Sequence, residues 1–167
     1  MKLQLPSSTD VLLMVASLAV TYAVGYASSW FMDDRSDWYD KMKPVYTPPG
    51  IVFTIVWAIM FFLLSISLFL TLRLKNVDGP RAVAIALYAI NLVLIFLWTP
   101  TFFKWRQFAV ALAEIVGMLL ISFILIYVHF KRTNSPIAAM TLVPYAMWLV
   151  FAFVLNLHFV TAKQSGA

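Results

Sequence analysis

Five long apolar runs alternate with short polar breaks along this chain, at about 11–31, 51–72, 82–103, 108–130 and 137–161. Each is long enough to cross a hydrocarbon core of about 30 Å as a helix, which takes about 20 residues. The breaks are abrupt: the acidic stretch 32–50, Arg73 to Arg81 around Asp78-Gly79-Pro80, Lys104-Trp105-Arg106-Gln107, and Lys131 to Pro136. Connections this short force successive spans to run antiparallel. The pattern predicts an all-α protein, a five-transmembrane-helix bundle forming one domain over 1–167. The first run reads as a retained span, because it is longer than the apolar core of a signal peptide and only Lys2 precedes it, with Asp10 beside it.

The break at 32–50 differs from the others. Pro44, Pro48 and Pro49 each lack an N–H and fix φ, so this segment is neither helix interior nor central strand. Trp38, Tyr39 and Tyr46 punctuate it, and Phe53 and Trp57 come next, in the second span. A merely flexible link is usually rich in Gly and Ser. The stretch therefore reads as a stiff cap, feeding a helix that carries Trp57 inward.

Composition agrees with a membrane protein: 63% of residues are hydrophobic, 11% are charged, and mean hydropathy is +0.89. A soluble domain carries about 25% charged residues. The net charge of +5 suits the rims of a membrane protein, and the cations sit in short loops rather than on one face, which argues against nucleic acid as a partner. There is no cysteine, so disulfides, thiolate nucleophiles and thiolate metal sites are excluded. Orientation stays open. The side of the N-terminus (side A) and the side of loop 32–50 (side B) carry equal numbers of Lys and Arg, so the positive-inside rule decides nothing. A prokaryotic cell membrane is the default location, with the mitochondrial outer membrane as the alternative.

Depth is more informative. At about 1.5 Å per residue, Trp57, Trp98, Glu114 and Asn156 all fall about 8–10 Å below side B, under the proline-rich loop. Trp148 lies deeper. Trp30, Trp38 and Trp105 fit an interfacial aromatic belt. Trp57, Trp98 and Trp148 are either packing residues or an aromatic wall for a flat ligand, since an indole N–H in hydrocarbon needs a partner. Glu114 is the one acid well inside a span, and such acids face the bundle interior. It is either a functional group or a protonated acid bonded to Tyr88, Tyr145 or Asn156. Asn91 and Asn156 read as interhelical hydrogen-bond residues before ligand contacts. Pro100 and Pro144 predict a kink or local unwinding. His129 and His158 lie near helix ends on opposite sides and read as interfacial residues, so no metal site is expected. No nucleophile elbow, phosphate loop or zinc-protease motif is present, and five spans do not halve into an inverted repeat.

At these residues the chain resembles the TspO/translocator protein family, whose members are also called tryptophan-rich sensory proteins or peripheral-type benzodiazepine receptors. The likeness rests on Trp38-Tyr39, Lys43-Pro44, Thr47-Pro48-Pro49 and Trp57, and then on Trp98, Pro100, Phe102-Phe103 and Arg106-Gln107. Glu114 stands at the family's acidic position, and Pro144-Tyr145, Trp148, Phe151-Ala152 and Leu155-Asn156 close the last span. The resemblance implies a five-helix bundle, usually a homodimer, with a pocket under the first loop that takes protoporphyrin IX or a similar tetrapyrrole. No cofactor is required beyond that ligand. It also implies ligand contacts at Tyr39, Pro48, Trp57, Trp98, Glu114, Trp148, Phe151, Ala152 and Asn156. Trp57 and Trp148 match the two tryptophans implicated in light-dependent porphyrin degradation. Lys41 and Lys43, or Arg35, are candidates to pair with porphyrin carboxylates.

The departures matter too. Tyr46 stands where a tryptophan is common, Thr54-Ile55 where Gly-Pro is common, and Ile95 where an asparagine is usual. The tyrosine of the proposed cholesterol motif is missing near Asn156, so cholesterol binding by that route is not expected. Ala82 and Ala86 permit close helix contact, but Ile90 interrupts the small-residue stripe that would favour a dimer. The leading expectation is a porphyrin-binding membrane receptor, with the enzyme question open. The rivals are a small carrier for lipophilic metabolites and a regulatory partner of other membrane proteins.

Overall fold

The computed structural model describes residues 7–33, 36–75 and 77–164. It contains α1 (Ser8–Ser29), a short α2 (Asp37–Met42), α3 (Gly50–Leu72), α4 (Asp78–Thr99), a π-helical turn at Pro100–Lys104, α5 (Phe108–Lys131) and α6 (Pro136–Gln164), with no strand among the described residues. Five of these elements are long and apolar enough to cross a bilayer, α4 running on through the π turn to Lys104. The fold is the expected five-helix membrane bundle. Lys2, Asp34 and Arg35 lie outside the described residues.

The long helices close a ring in the order α1, α3, α6, α5, α4, with α4 back against α1. Lipid tails are as apolar as leucine, so helices in a bilayer associate through close packing and hydrogen bonds rather than through water exclusion. Ala84, Ala111, Ala138 and Ala139 are fully buried and let the backbones approach. Leu64, Met118, Leu125 and Leu142 fill the axis between them.

The side A half is sealed by a polar cluster. Ser67 Oγ donates to the Ala138 carbonyl at 2.6 Å, Tyr88 OH donates to Ser67 Oγ, and Thr71 Oγ1 donates to the Ser67 carbonyl at 2.8 Å. His129 Nε2 lies 3.3 Å from both Tyr88 OH and Thr71 Oγ1, and its Nδ1 lies 3.3 Å from Thr133 Oγ1. His129 is fully buried, so it is not the interfacial residue its position suggested. Nearby, Asn91 Nδ2 donates to Tyr145 OH at 3.1 Å. At the side A surface, Asp10 of α1 meets Arg73 at the end of α3, 2.7 Å apart.

Pro100 produces the unwinding its position predicted. It cannot donate to the Phe96 carbonyl one turn back, and an unsatisfied carbonyl in hydrocarbon is costly. Ser28 of α1 compensates: its buried hydroxyl lies 3.2 Å from the Phe96 carbonyl and 2.6 Å from Thr99 Oγ1. The chain then widens to a π turn, closed by Trp105 N–H donating to the Pro100 carbonyl at 2.9 Å. This extra residue per turn shifts the helical phase beyond Pro100 and points Thr101, Phe102 and Phe103 into the protein, all buried.

Candidate functional site

A cavity of about 520 Å³ occupies the side B half of the ring, bounded by α1, α3, α4 and α6, with Ile115 and Met118 of α5 also in its lining, and roofed by Tyr39 of α2 and the loop residues Thr47 and Pro48. Its size falls in the range of about 300–1,000 Å³ typical of small-molecule sites. The walls are aromatic: Trp57 and Phe61 from α3, Trp98 from α4, and Phe102 and Phe103 from the π turn. Trp98 and Phe102 stack at 5.2 Å and 22°, giving a flat double-ring surface. No Asp, Glu, Lys, Arg or His lines the cavity among the described residues.

Asn156 sets the position of Trp98. Its Oδ1 accepts from Trp98 Nε1 at 3.2 Å while its Nδ2 donates to the Phe108 carbonyl at 2.8 Å, so one amide ties α4, α5 and α6 together. It is an interhelical residue and a lining residue at once. The roof is held by a second aromatic cluster. Trp38 packs against Phe102, Phe103, Phe108 and Phe159, with the Arg106 guanidinium 4.9 Å from its ring centre. Tyr39 stacks on Phe159 at 5.5 Å and 13°. Trp38 is thus the anchor of the cap and not a belt residue, whereas Trp30 and Trp105 are exposed as belt residues should be.

The sequence-predicted residues divide accordingly. Tyr39, Pro48, Trp57, Trp98, Ala152 and Asn156 line the cavity. Trp148 stands behind that lining, edge-on to Trp57 at 6.4 Å and to Phe53 at 5.5 Å, with its Nε1 buried and without a hydrogen-bond partner among the described residues. Phe151 packs on Trp148 at 5.2 Å, away from the cavity wall. Glu114 shares the predicted depth but faces elsewhere. Its Oε1 accepts from Thr101 Oγ1 at 3.0 Å, and neither Tyr88, Tyr145 nor Asn156 is its partner. The π turn explains the difference, because only an unwound segment brings Thr101 round to α5. Lys41 and Lys43 line a separate outer groove with Tyr46 and His158. Lys43 pairs with Asp40 at 2.6 Å, and its ammonium lies 5.9 Å from the centre of the Tyr39 ring.

Sequence reasoning left α1 out of the site, yet Tyr22, Gly25 and Tyr26 line it, with Met32 just beyond the end of the helix. The available signal was Gly25, since glycine inside a membrane span marks close helix approach. A Cβ placed on Gly25 would sit 2.3 Å from Phe61 Cε2, a collision. Phe61 cannot yield freely: it lies 5.4 Å from Trp57 and 5.9 Å from Tyr22, ring centre to ring centre. Gly25→Ala is therefore expected to push the Phe61 ring into the cavity and weaken ligand binding about tenfold, equivalent to about 1.4 kcal/mol. Adding Phe61→Leu should restore affinity, and dark titration of both variants checks this. Equal affinity in Gly25→Ala and the parent would show that the ring is free to move.

A ring of five membrane helices around an aromatic, uncharged, side B cavity under a proline-stiffened cap defines an integral multi-pass membrane protein with an intramembrane cavity of small-molecule size. The TspO/MBR family profile matches residues 16–161, and the chain belongs to that family. It is 32% identical over 149 residues to the tryptophan-rich protein TspO of Chlorobaculum tepidum, covering 88% of this chain and 93% of that one. It is 34% identical over 121 residues to a tryptophan-rich sensory protein of Cereibacter sphaeroides, covering 72% and 73%. The translocator protein of Sus scrofa is 31% identical over 124 residues, covering 71% and 70%.

Proposed function

We propose that this chain is a membrane receptor or sensor that holds a flat, largely apolar ligand of the porphyrin class, such as protoporphyrin IX. The observation that carries the reading is the uncharged cavity of about 520 Å³ walled by Trp57, Trp98, Phe102 and Phe103. Such a wall stabilises an extended π system by stacking and burial and calls for no metal. The name of one relative, tryptophan-rich sensory protein, supports a sensory role in the membrane. The protein partner in this reading is a second copy of the chain, for which Ala82 and Ala86 on the outward face of α4 offer a close-contact surface.

An uncharged cavity has no place for a ligand carboxylate, so the carboxylates stay at the mouth. Lys43, beside Tyr39, and Lys41 in the same outer groove are the candidate partners for a carboxylate at the side B surface. Trp57 and Trp98 line the cavity and are indoles available to an excited porphyrin as electron donors. Trp148, edge-on behind Trp57, is a further donor able to refill it. Trp57 and Trp148 are therefore candidates for a light-dependent reaction.

Protoporphyrin IX titrated in the dark into the protein in nanodiscs should quench tryptophan emission saturably. Trp57→Phe and Trp98→Phe should each weaken binding about threefold to tenfold, whereas Trp148→Phe, set behind the wall, should change it less. Under light in air, loss of the porphyrin bands should depend on Trp57 and Trp148. Absence of saturable binding above that of an unrelated membrane protein overturns the porphyrin reading.

A further inference from the structure

The cavity has an opening that the loop does not cover. Tyr22, Tyr26 and Met32 of α1 and its extension line the cavity, yet they are 40%, 68% and 45% exposed. Across from them, Thr54 and Ala58 of α3 also line the cavity and are exposed. Residues that face a cavity and the outside at once mark its mouth. Here that mouth is the seam between α1 and α3, along the flank of the bundle that faces the acyl chains.

The seam has a definite floor. Tyr22 OH donates to the Ala58 carbonyl at 2.8 Å, and the Phe61 ring lies so close to Gly25 that no Cβ fits between them. Below this point α1 and α3 are in contact; above it, towards side B, they part. The aqueous end is closed by contrast, because Trp38 is wedged among four phenylalanines and Tyr39 is stacked on Phe159. The rim of the seam is chemically suited to an apolar visitor. It is built from Tyr26, Ser29, Met32, Gly50, Thr54 and Ala58, with no formal charge.

We propose that the α1–α3 seam is a lateral portal, through which a flat apolar ligand dissolved in the bilayer enters and leaves without passing the loop. This rests on the ligand class proposed above, but the portal itself is open or shut whatever that ligand is. An opening to the acyl region shortens the path for a molecule that partitions into lipid. It also leaves polar ligand substituents trailing towards the side B headgroups, consistent with an uncharged interior. Trp57 lies just inside the seam and is half-buried, which makes it a reporter of what enters.

Two measurements on the full chain in nanodiscs test the portal. In the first, phosphatidylcholine brominated on its acyl chains is the probe, and the emission of Trp57 is taken as the difference between the parent and Trp57→Phe. Acyl bromine should quench Trp57, and Thr54→Phe or Ser29→Leu, which fill the rim from opposite helices, should relieve that quenching. Trp30, 72% exposed, is the positive control. Quenching of Trp30 with none of Trp57 overturns the portal.

In the second, protoporphyrin IX is mixed in the dark and the approach to equilibrium is followed. A blocked portal slows entry and exit by the same factor. Thr54→Phe and Ser29→Leu should therefore each lower both the on-rate and the off-rate, by about tenfold in the on-rate, any shift in Kd reporting the contact of these lining residues with the bound ligand. Unchanged rates in both variants, with slowing instead in Lys43→Trp at the outer groove, overturn the portal in favour of a loop route. If protoporphyrin IX does not bind at all, the porphyrin reading falls and bromine quenching alone decides the portal.

Discussion

Asn156→Leu is expected to cost this protein both its aromatic wall and a measurable part of its stability. The amide makes two bonds in opposite directions, accepting from Trp98 Nε1 and donating to the Phe108 carbonyl. Leucine is close in volume and makes neither. The Trp98 N–H is then left in an apolar setting without an acceptor, and a stranded buried polar group costs about 1–3 kcal/mol. Interhelical hydrogen bonds within bilayers average nearer 0.6 kcal/mol, with about 1.7 at the top of the measured range, so about 1–2 kcal/mol is the expected loss of stability. The indole also loses the contact that holds it parallel to Phe102. Protoporphyrin IX affinity should fall about tenfold, a further 1.4 kcal/mol read at the site.

A double-mutant cycle isolates the cause. In a Trp98→Phe background the N–H is already gone, so Asn156→Leu should add little to the loss of affinity and should cost stability only through the bond to the Phe108 carbonyl. Full additivity of the two substitutions in Kd would falsify the assignment of Asn156 as the positioning residue for Trp98.

Two kinds of geometry separate what is readable in the chain from what is not. Helix number, order and depth depend on rise per residue and on run length, both of which the sequence carries. Trp57, Trp98 and Asn156 can therefore be placed in one layer by counting residues alone. Azimuth is another matter. Glu114 has the same depth, but whether it faces the cavity depends on helix rotation, and its partner Thr101 is brought round by a π turn that no 3.6-residue pattern anticipates. Pro100 announces that something irregular happens there without saying in which direction the freed residues turn.

The same limit explains α1 and Trp38. A span with almost no charge or tryptophan to mark a face gives little azimuthal signal beyond Gly25, so the contribution of Tyr22 and Tyr26 to the cavity becomes visible only with α3 beside it. Trp38 sits at interfacial height, as a belt residue would. Only the chain reversal through Pro44, Pro48 and Pro49 folds it inward onto Phe102 and Phe159. The family motif around it singles the residue out, but not the reason, which is to pin the cap.

The opposite end of the bundle supplies the second large effect. Tyr88→Phe is expected to destabilise the protein by about 1–2 kcal/mol while leaving protoporphyrin IX affinity unchanged. Tyr88 OH donates to Ser67 Oγ, which donates in turn to the Ala138 carbonyl, so the phenol orients the one hydroxyl that bridges α3 to α6 among the described residues. It also lies 3.3 Å from His129 Nε2, so its loss thins the polar surroundings of a fully buried imidazole. His129→Leu should be equally costly or more so, because it takes a partner from both Thr71 Oγ1 and Thr133 Oγ1. The two substitutions share partners, so the double variant should lose less than the sum. Neither residue lines the cavity, which lies towards the other end of the same helices. Thermal unfolding in detergent and dark titration in nanodiscs, run on the same preparations, separate the two readouts. A fall in affinity that tracks the fall in melting temperature would mean that the side A cluster holds the shape of the cavity as well as the closure of the bundle. Unchanged affinity would establish that this membrane bundle has a structural half and a ligand half, joined by helices but tuned by different residues.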